Sequence, residues 1–225
     1  MNLKKVTLTK VSLFCSLVGI ALLYTGAVHM RPGLTPIANI DNDFVGTKAK
    51  VSGKVVDVQE HSEGHLFLEL EDNSGGSISV PIFSDILSKI KENIEILDRV
   101  QIKGRIKRYR GEFEILPERA ESVRFVKSPP LDLSKVEKSK VGETVKVRGF
   151  VIRKIIFKSE DVLLKIRRGD DHISLFAPCA AVKERDISSI REGDLIQAIG
   201  KVQMYKGRPQ IKIGGNGKIN LIEAL

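Results

Sequence analysis

The chain has 225 residues, of which 42% are hydrophobic and 29% charged, a balance that is typical of globular proteins and excludes a disordered or fibrous chain. Its net charge of +9 favours a polyanionic partner such as nucleic acid or anionic lipid, without choosing between them. Only two cysteines occur, Cys15 and Cys179, and Cys15 lies in an apolar run, which excludes a disulfide framework.

The amino-terminal segment predicts a single-pass transmembrane helix. Residues 1–10 are a basic flank, and residues 11–30 are the predicted anchor, because Val11 to Val28 carry no charge. Lys4, Lys5 and Lys10 precede this stretch, and only Arg31 follows soon after it. This distribution of charge predicts a cytoplasmic amino terminus and an extracytoplasmic remainder. A cleaved signal peptide, with small residues at 25–27, and a buried helix remain alternatives. Residues 31–44 follow as a tether.

The remainder of the chain repeats itself at an offset of 96 residues. The segment VGTKAKVSG at 45–53 recurs as VGETVKVRG at 141–149. The matching pairs further along are Leu66/Val162, Leu68/Leu164, Leu70/Ile166, Asp98/Asp194, Gly104/Gly200, Tyr109/Tyr205, Gly111/Gly207 and Ile115/Ile211. This period suits a small complete domain that has been duplicated.

Each copy has the pattern of three strands, a helix and two further strands. In the first copy, apolar residues alternate with polar ones over 49–55, 66–70, 78–82 and 100–106, and a last strand starts at 113. Ile86, Leu87, Ile90, Ile94 and Leu97 have helical spacing and predict one amphipathic helix between the third and fourth strands. Five strands with this helix position are the order of the OB-fold, a Greek-key barrel.

The amino-acid sequence of the first copy also resembles a known family. The run LFLELEDNSG at 66–75, the run VQIKG at 100–104 and Tyr109-Arg110-Gly111 are similar to the tRNA/helicase type of OB domain. This resemblance covers nearly all of residues 45–126 and implies nucleic-acid binding. The second copy departs from it, since Arg167-Arg168-Gly169-Asp170-Asp171 replaces the turn of the first.

The fold class predicted is therefore all-β with little helix: two tandem five-stranded OB barrels after a transmembrane helix. Residues 45–127 are the first barrel, residues 128–140 a linker with Pro129-Pro130 and a short helical lead-in, and residues 141–225 the second barrel. The first of these stretches holds 14 basic and 14 acidic side chains, and the last holds 16 and 10. The basic surplus thus lies in the second barrel.

Candidate binding residues follow from the usual ligand face of OB barrels, which lies across the second and third strands and the adjoining loops. The outward residues of the second strand are Phe67, Glu69 and Glu71 in the first copy, and Leu163, Lys165 and Arg167 in the second. The loop between the fourth and fifth strands is basic in both copies. The complete set of predicted nucleic-acid-binding residues is Phe67, Lys107, Arg108, Tyr109, Arg110, Lys146, Arg148, Lys165, Arg167, Tyr205, Lys206 and Arg208.

Each loop tyrosine has two interpretations. A base could stack on the ring while the neighbouring cations meet phosphate. Alternatively, the tyrosine closes the end of the barrel and the cations are only solvated.

We predict no catalytic residue, no metal and no cofactor. His61 and His65 lie in a loop without a third ligand, and Asp170-Asp171-His172 is typical of a turn. The run Gly214-Gly215-Asn216-Gly217 lacks the lysine of a phosphate-binding loop.

The function predicted is non-specific binding of single-stranded DNA or RNA by a membrane-anchored, non-enzymatic protein. The alternative is an extracytoplasmic assembly factor whose barrels bind a protein or peptide, since OB folds serve many ligands.

Overall fold

The computed structural model describes residues 3–29, 33–184, 187–215 and 217–224. The chain divides into two compact units, residues 1–34 and 35–225. The first unit consists of helix α1 (Leu3–His29). Arg31, which the prediction of topology used, and Asn216 lie outside the described residues.

The predicted membrane anchor is not supported. In the part of the chain that the structure describes, no helix is long and apolar enough to cross a membrane. The location of the protein relative to a membrane stays a prediction that rests on the distribution of its lysines.

The second unit contains two β-barrels, each with one short helix. The elements of the first barrel are β1 (Lys48–Glu60), β2 (Leu66–Glu71), β3 (Ser77–Ile82), α2 (Ser84–Leu87), β4 (Arg99–Tyr109), β5 (Glu112–Pro117) and β6 (Val123–Val126). Those of the second are β7 (Thr144–Ile156), β8 (Val162–Arg168), β9 (Asp171–Ala177), α3 (Cys179–Glu184), β10 (Leu195–Tyr205), β11 (Arg208–Lys212) and β12 (Lys218–Glu223). The predicted order of strands and helices is confirmed.

Both barrels close in the same way. The first sheet runs β1-β2-β3-β5-β4 and closes through pairing of β1 with β4, while β6 adds to the outer edge of β4. The second sheet repeats this order as β7-β8-β9-β11-β10, with β12 on β10. In each, the third and fifth strands pair in parallel, and the other neighbours are antiparallel. The predicted pair of five-stranded barrels is thus present, with one additional strand each.

Each barrel has its own apolar core, built from the alternating residues that predicted its strands. Leu68 and Leu70 are buried in the first core, and Leu164 and Ile166 occupy the same places in the second. The segments before the first strands also contribute. Ile37 and Ile40 enter the first core, and Leu133 and Val136 enter the second. The ends of the predicted tether and linker therefore belong to the barrels.

The predicted amphipathic helix of the first barrel is mostly wrong. Helix α2 ends at Leu87, and the chain then continues through turns to β4. Ile94 is nevertheless buried, so the apolar residues reach the core without a continuous helix. Leu97 has a φ of +74°, in the left-handed region, which a helix cannot continue through. The predicted lead-in to the second barrel is two short 3₁₀ turns, Leu133–Lys135 and Lys138–Lys140.

Candidate functional site

The outer face of the second barrel carries cations from three strands, β7, β8 and β11. Arg153 on β7 lies opposite Lys165 on β8, which in turn lies opposite Ser174 on β9. Arg167 lies two residues further along β8, on the same side of the strand, and Arg208 begins β11. We call Arg153, Lys165, Arg167 and Arg208 the basic face. The predicted outward orientation of Lys165 and Arg167 is confirmed, because Leu164 and Ile166, which alternate with them along β8, are buried in the core.

The same face of the first barrel carries carboxylates. Asp57 lies opposite Glu69, and Glu69 lies opposite Ser79. Ser79 pairs with Glu114 on β5, completing a row across four strands. We call Asp57, Glu69, Glu71, Glu112 and Glu114 the acidic face. Burial raises the pKa of Glu114, although the positive charge of Lys107 acts against this.

The two faces are related position by position through the internal repeat. At the offset of 96 residues, the acidic face maps as Asp57 to Arg153, Glu69 to Lys165, Glu71 to Arg167, Glu112 to Arg208 and Glu114 to Gln210. Both copies also carry their first-strand bulge at the matching place, after Val55 and after Val151. The strand pairing is the same, but four of the five carboxylates are replaced by cations and the fifth by a neutral amide. Of these two faces, the basic face of the second barrel is therefore the electrostatically favourable surface for a polyanion.

The loop between the fourth and fifth strands is a tight two-residue turn in both barrels. Arg110 and Gly111, like Lys206 and Gly207, have positive φ at both positions, which is the type I′ geometry of short hairpins. The flanking rings of Tyr109 and Tyr205 are 60% and 55% exposed. Neither tyrosine closes the end of its barrel, so both rings are accessible to a stacking partner.

The two loops differ in how free their cations are. Arg108 is held within the first barrel, because its Nε donates to the Gly111 carbonyl at 3.1 Å and its Nη1 to Asn42 Oδ1 at 3.0 Å. In the second barrel, Met204 takes the place of Arg108. The Lys206 ammonium lies 5.4 Å from the centre of the Tyr205 ring, which makes the two side chains one combined cation and aromatic surface.

A groove of about 370 Å³ lies beside Tyr205. Its lining residues are Ser174, Tyr205, Lys206, Arg208, Pro209 and Gln210. The groove joins the turn to the strand face, since Ser174 and Gln210 pair across β9 and β11. Three of the predicted binding residues, Tyr205, Lys206 and Arg208, therefore come together around one concave surface.

The remaining predicted residues of the first barrel have separate surroundings and no basic strand face beside them. Lys107 lies opposite Glu114. The guanidinium of Arg110 lies 5.2 Å from the centre of the Tyr109 ring. Phe67 is half-buried and its ring meets that of His61 edge-on at 6.3 Å. No comparable basic surface forms from these residues.

Lys146 and Arg148 were predicted to bind nucleic acid, and the structure places Lys146 between the two barrels and Arg148 beside Gln197 within the second barrel. Lys146 is 3% exposed, and its ammonium lies 3.0 Å from Glu95 Oε2 and 3.2 Å from Asp98 Oδ1 of the first barrel. Arg148 is half-buried and donates to Gln197 Oε1 at 3.2 Å. The prediction of Lys146 as a ligand contact is wrong, because its charge is already neutralised by two carboxylates.

Metal binding gains no support from the geometry. Within the described ranges, no three His, Cys, Asp or Glu side chains are placed to hold a metal ion. The rings of His61 and His65 stack at 6.2 Å, and His65 Nδ1 accepts a hydrogen bond from the Ser84 backbone N–H.

Sequence reasoning missed Arg153, Gln210 and the exposed apolar residues of the second barrel. The alternation of β7 does not mark Arg153 as outward, because the bulge after Val151 interrupts it. The offset that identified the repeat would have found it, since it pairs Arg153 with Asp57. Phe150, Ile156 and Phe157 are exposed where the first barrel has Lys54, Glu60 and His61. The surface of the second barrel thus has fewer carboxylates and more exposed apolar side chains than the surface of the first barrel.

Residues 49–123, most of the first barrel, match the model of a family described as an OB-fold nucleic acid binding domain. The large subunit of exodeoxyribonuclease 7 from Clostridium acetobutylicum is 33% identical over 70 residues, which are 31% of this chain and 17% of the relative. The corresponding subunit of Clostridium botulinum is 31% identical over 78 residues, or 34% and 19%. The chain spans less than a fifth of the length of these relatives.

Two solved structures cover about three quarters of this chain. The Ifi202 HINa domain in complex with 20-bp double-stranded DNA is 17% identical, covers 78% of this chain and 96% of its own, and has a TM-score of 0.46. The tetrameric p202 HIN2 domain is 10% identical, with coverages of 77% and 92% and a TM-score of 0.45. The resemblance predicted for residues 45–126 is confirmed by the family match, which falls on the barrel with the acidic face.

Proposed function

We propose that this protein binds single-stranded DNA or RNA through the basic face and the Tyr205 groove of its second barrel. The observation that carries the proposal is the charge reversal between equivalent faces of the two barrels. Because the fold is the same, the fold alone does not explain why Asp57, Glu69 and Glu71 in one copy are Arg153, Lys165 and Arg167 in the other. A polyanionic ligand on the second face accounts for all three changes.

The chemistry of the face favours a single strand over a duplex. The cations would meet phosphate oxygens, and the exposed ring of Tyr205 provides a surface on which an unpaired base can stack. Bases within a duplex are already stacked on one another and do not present their faces in this way. The family match supports nucleic acid as the ligand class, and the relatives' name supports DNA as one form of it.

The proposal concerns binding and not catalysis. The stretch shared with the exodeoxyribonuclease subunits is a small part of those proteins, and we propose that this chain leaves a bound strand intact. Incubation of labelled single strands with the protein and Mg²⁺, followed by electrophoresis, would reveal any cleavage.

The test is a binding titration of residues 37–225 with fluorescent single-stranded DNA and RNA across a salt series. Each cation that neutralises a phosphate adds about 0.7 to the slope of log affinity against log salt. The double variant Lys165→Glu/Arg167→Glu should therefore bind more weakly and with a flatter slope. Tyr205→Ala should lose affinity, by about 1–3 kcal/mol, with little change of slope, because stacking releases few ions.

A matched control is Lys89→Glu/Lys91→Glu, which changes the net charge equally on exposed residues of the first barrel. This variant should keep most of the affinity. If it weakens binding as much as the reversal on the second barrel, only net charge matters and the proposed face is wrong. If Lys165→Glu/Arg167→Glu binds like the native protein, the basic face is a solvated surface and a protein ligand becomes the better explanation.

A further inference from the structure

Gln210 has an unusual position for an outward side chain. It precedes Ile211, which is buried in the core of the second barrel, so the alternation of β11 turns Gln210 to the outside. Nevertheless it is only 6% exposed, and it lines the groove beside Tyr205. A polar side chain that is buried under a groove is expected to have its hydrogen-bonding groups satisfied.

The carboxamide of Gln210 is satisfied on one side only. Its Oε1 accepts a hydrogen bond from Gln203 Nε2 at 2.8 Å, which fixes the plane of the amide. Its Nε2 group donates to no other side chain or backbone carbonyl among the described residues. Ser174, the neighbour of Gln210 across β9 and β11, lines the same groove and supplies a hydroxyl. Two hydrogen-bonding groups are thus held beside the exposed ring of Tyr205.

We infer that this groove is a subsite for one nucleobase and that it selects a base bearing a ring carbonyl. The base stacks on Tyr205, and its carbonyl oxygen accepts hydrogen bonds from Gln210 Nε2 and the Ser174 hydroxyl. This inference rests on the proposed function and adds a base preference to it. Thymine, uracil, guanine, cytosine and hypoxanthine have such a carbonyl, whereas adenine has none.

The first barrel lacks this subsite for a chemical reason. Glu114 stands where the second barrel has Gln210, with Ser79 as its neighbour in place of Ser174. An ionised carboxylate only accepts hydrogen bonds, so it cannot donate to a base carbonyl, and it repels phosphate. The change from glutamate to glutamine is the smallest one that turns this position into a donor.

The test compares strands of deoxyadenosine and of deoxyinosine, each about ten nucleotides long, on the protein of residues 37–225. Hypoxanthine keeps the purine ring of adenine and replaces its amino group with a carbonyl, so stacking area and backbone are matched. We expect the deoxyinosine strand to bind about three- to tenfold more tightly, the range of one hydrogen bond. Gln210→Leu should bring the ratio of the two affinities close to one.

Two further variants make the result decisive. Ser174→Ala keeps the buried amide pair in place and should reduce the preference without threatening the fold. Gln59→Leu, the same substitution at an exposed site of the first barrel, should leave the preference intact. Equal affinities for the two strands, or a preference that survives both Gln210→Leu and Ser174→Ala, would overturn the subsite while the proposed function stands. Failure to bind any single strand would overturn both.

Discussion

At the scale of single residues, the least predictable group is the polar cluster between the barrels. Lys146 meets Glu95 and Asp98, and Glu95 also accepts from Asn220 Nδ2 at 3.0 Å and from Gln197 Nε2 at 3.3 Å. The partners of Lys146 come from about fifty residues earlier in the chain, in the other copy of the repeat. Local sequence shows only a lysine in a strand, which is why Lys146 was assigned to a ligand.

The stability of the protein should fall in acid because of Asp98. Burial acts to raise the pKa of Asp98, but hydrogen bonds from the Ser128 and Glu95 backbone and from Lys127, with the charge of Lys146, hold that pKa below its ordinary value. A carboxyl with a lowered folded-state pKa stabilises the fold above its unfolded-state pKa, about 3.9, and this contribution is lost as the pH falls further. We expect urea unfolding to show declining stability below about pH 4.

The variant Asp98→Asn tests the origin of this decline. It leaves the Lys146 ammonium buried with one carboxylate fewer, so stability at neutral pH should drop by about 3–5 kcal/mol. Its stability should also depend less on acid than that of the native protein. Asp85→Asn, at an exposed position, serves as the control and should change neither. An unaltered acid dependence in Asp98→Asn would assign the decline to other carboxylates.

At the scale of secondary structure, the strands could be predicted and the helix could not. The alternation of apolar and polar residues in a strand is a local signal. Because of the internal repeat, each strand pattern also occurs in both copies, which gives two independent indications of the same strand. The residues after α2 have helical spacing, but they reach the core one at a time through turns. Nothing in the spacing of Ile90 and Ile94 distinguishes these two arrangements, because both bury the same side chains.

Gly200 illustrates a repeated residue whose role became clear only in three dimensions. A Cβ placed there would lie 2.6 Å from the carbonyl oxygen of Lys212 on β11 and 2.7 Å from Ile211 Cγ2. Because the nearest atom belongs to the backbone, it cannot move aside as a side chain would. Gly200→Ala should therefore destabilise the second barrel by about 1–3 kcal/mol in thermal or urea unfolding.

Gly214→Ala is the matched control in the same barrel, since no atom lies within 4 Å of a Cβ there. It should stay within about 0.5 kcal/mol of the native protein. Equal stability of the two variants would show that β10 and β11 separate easily, contrary to the close approach at Gly200.

At the scale of the whole second unit, two separate cores are joined by one buried cluster. Leu68→Ala and Leu164→Ala should each cost about 2–5 kcal/mol by opening a cavity in the core concerned. Because the described residues form two separate apolar cores, we expect hydrogen exchange to accelerate mainly in the barrel that carries the substitution. Amides of β4 and β10 report the two barrels separately.

The contrary result would be equal acceleration in both barrels for either variant, which would show one cooperative folding unit. Repeating the measurement in Lys146→Met removes the charge pairing between the barrels and should make the two responses still more independent.

The reversed charge of the first face also sets the valency of the tandem. Linking two similar binding modules ordinarily raises affinity through the high effective concentration of the second site. Here the carboxylates of Asp57, Glu69 and Glu71 repel phosphate, so the first barrel is not expected to act as a second binding module. If the second barrel binds as proposed, we expect the protein to be monovalent, so that lengthening a strand beyond the footprint of one barrel does not raise the affinity.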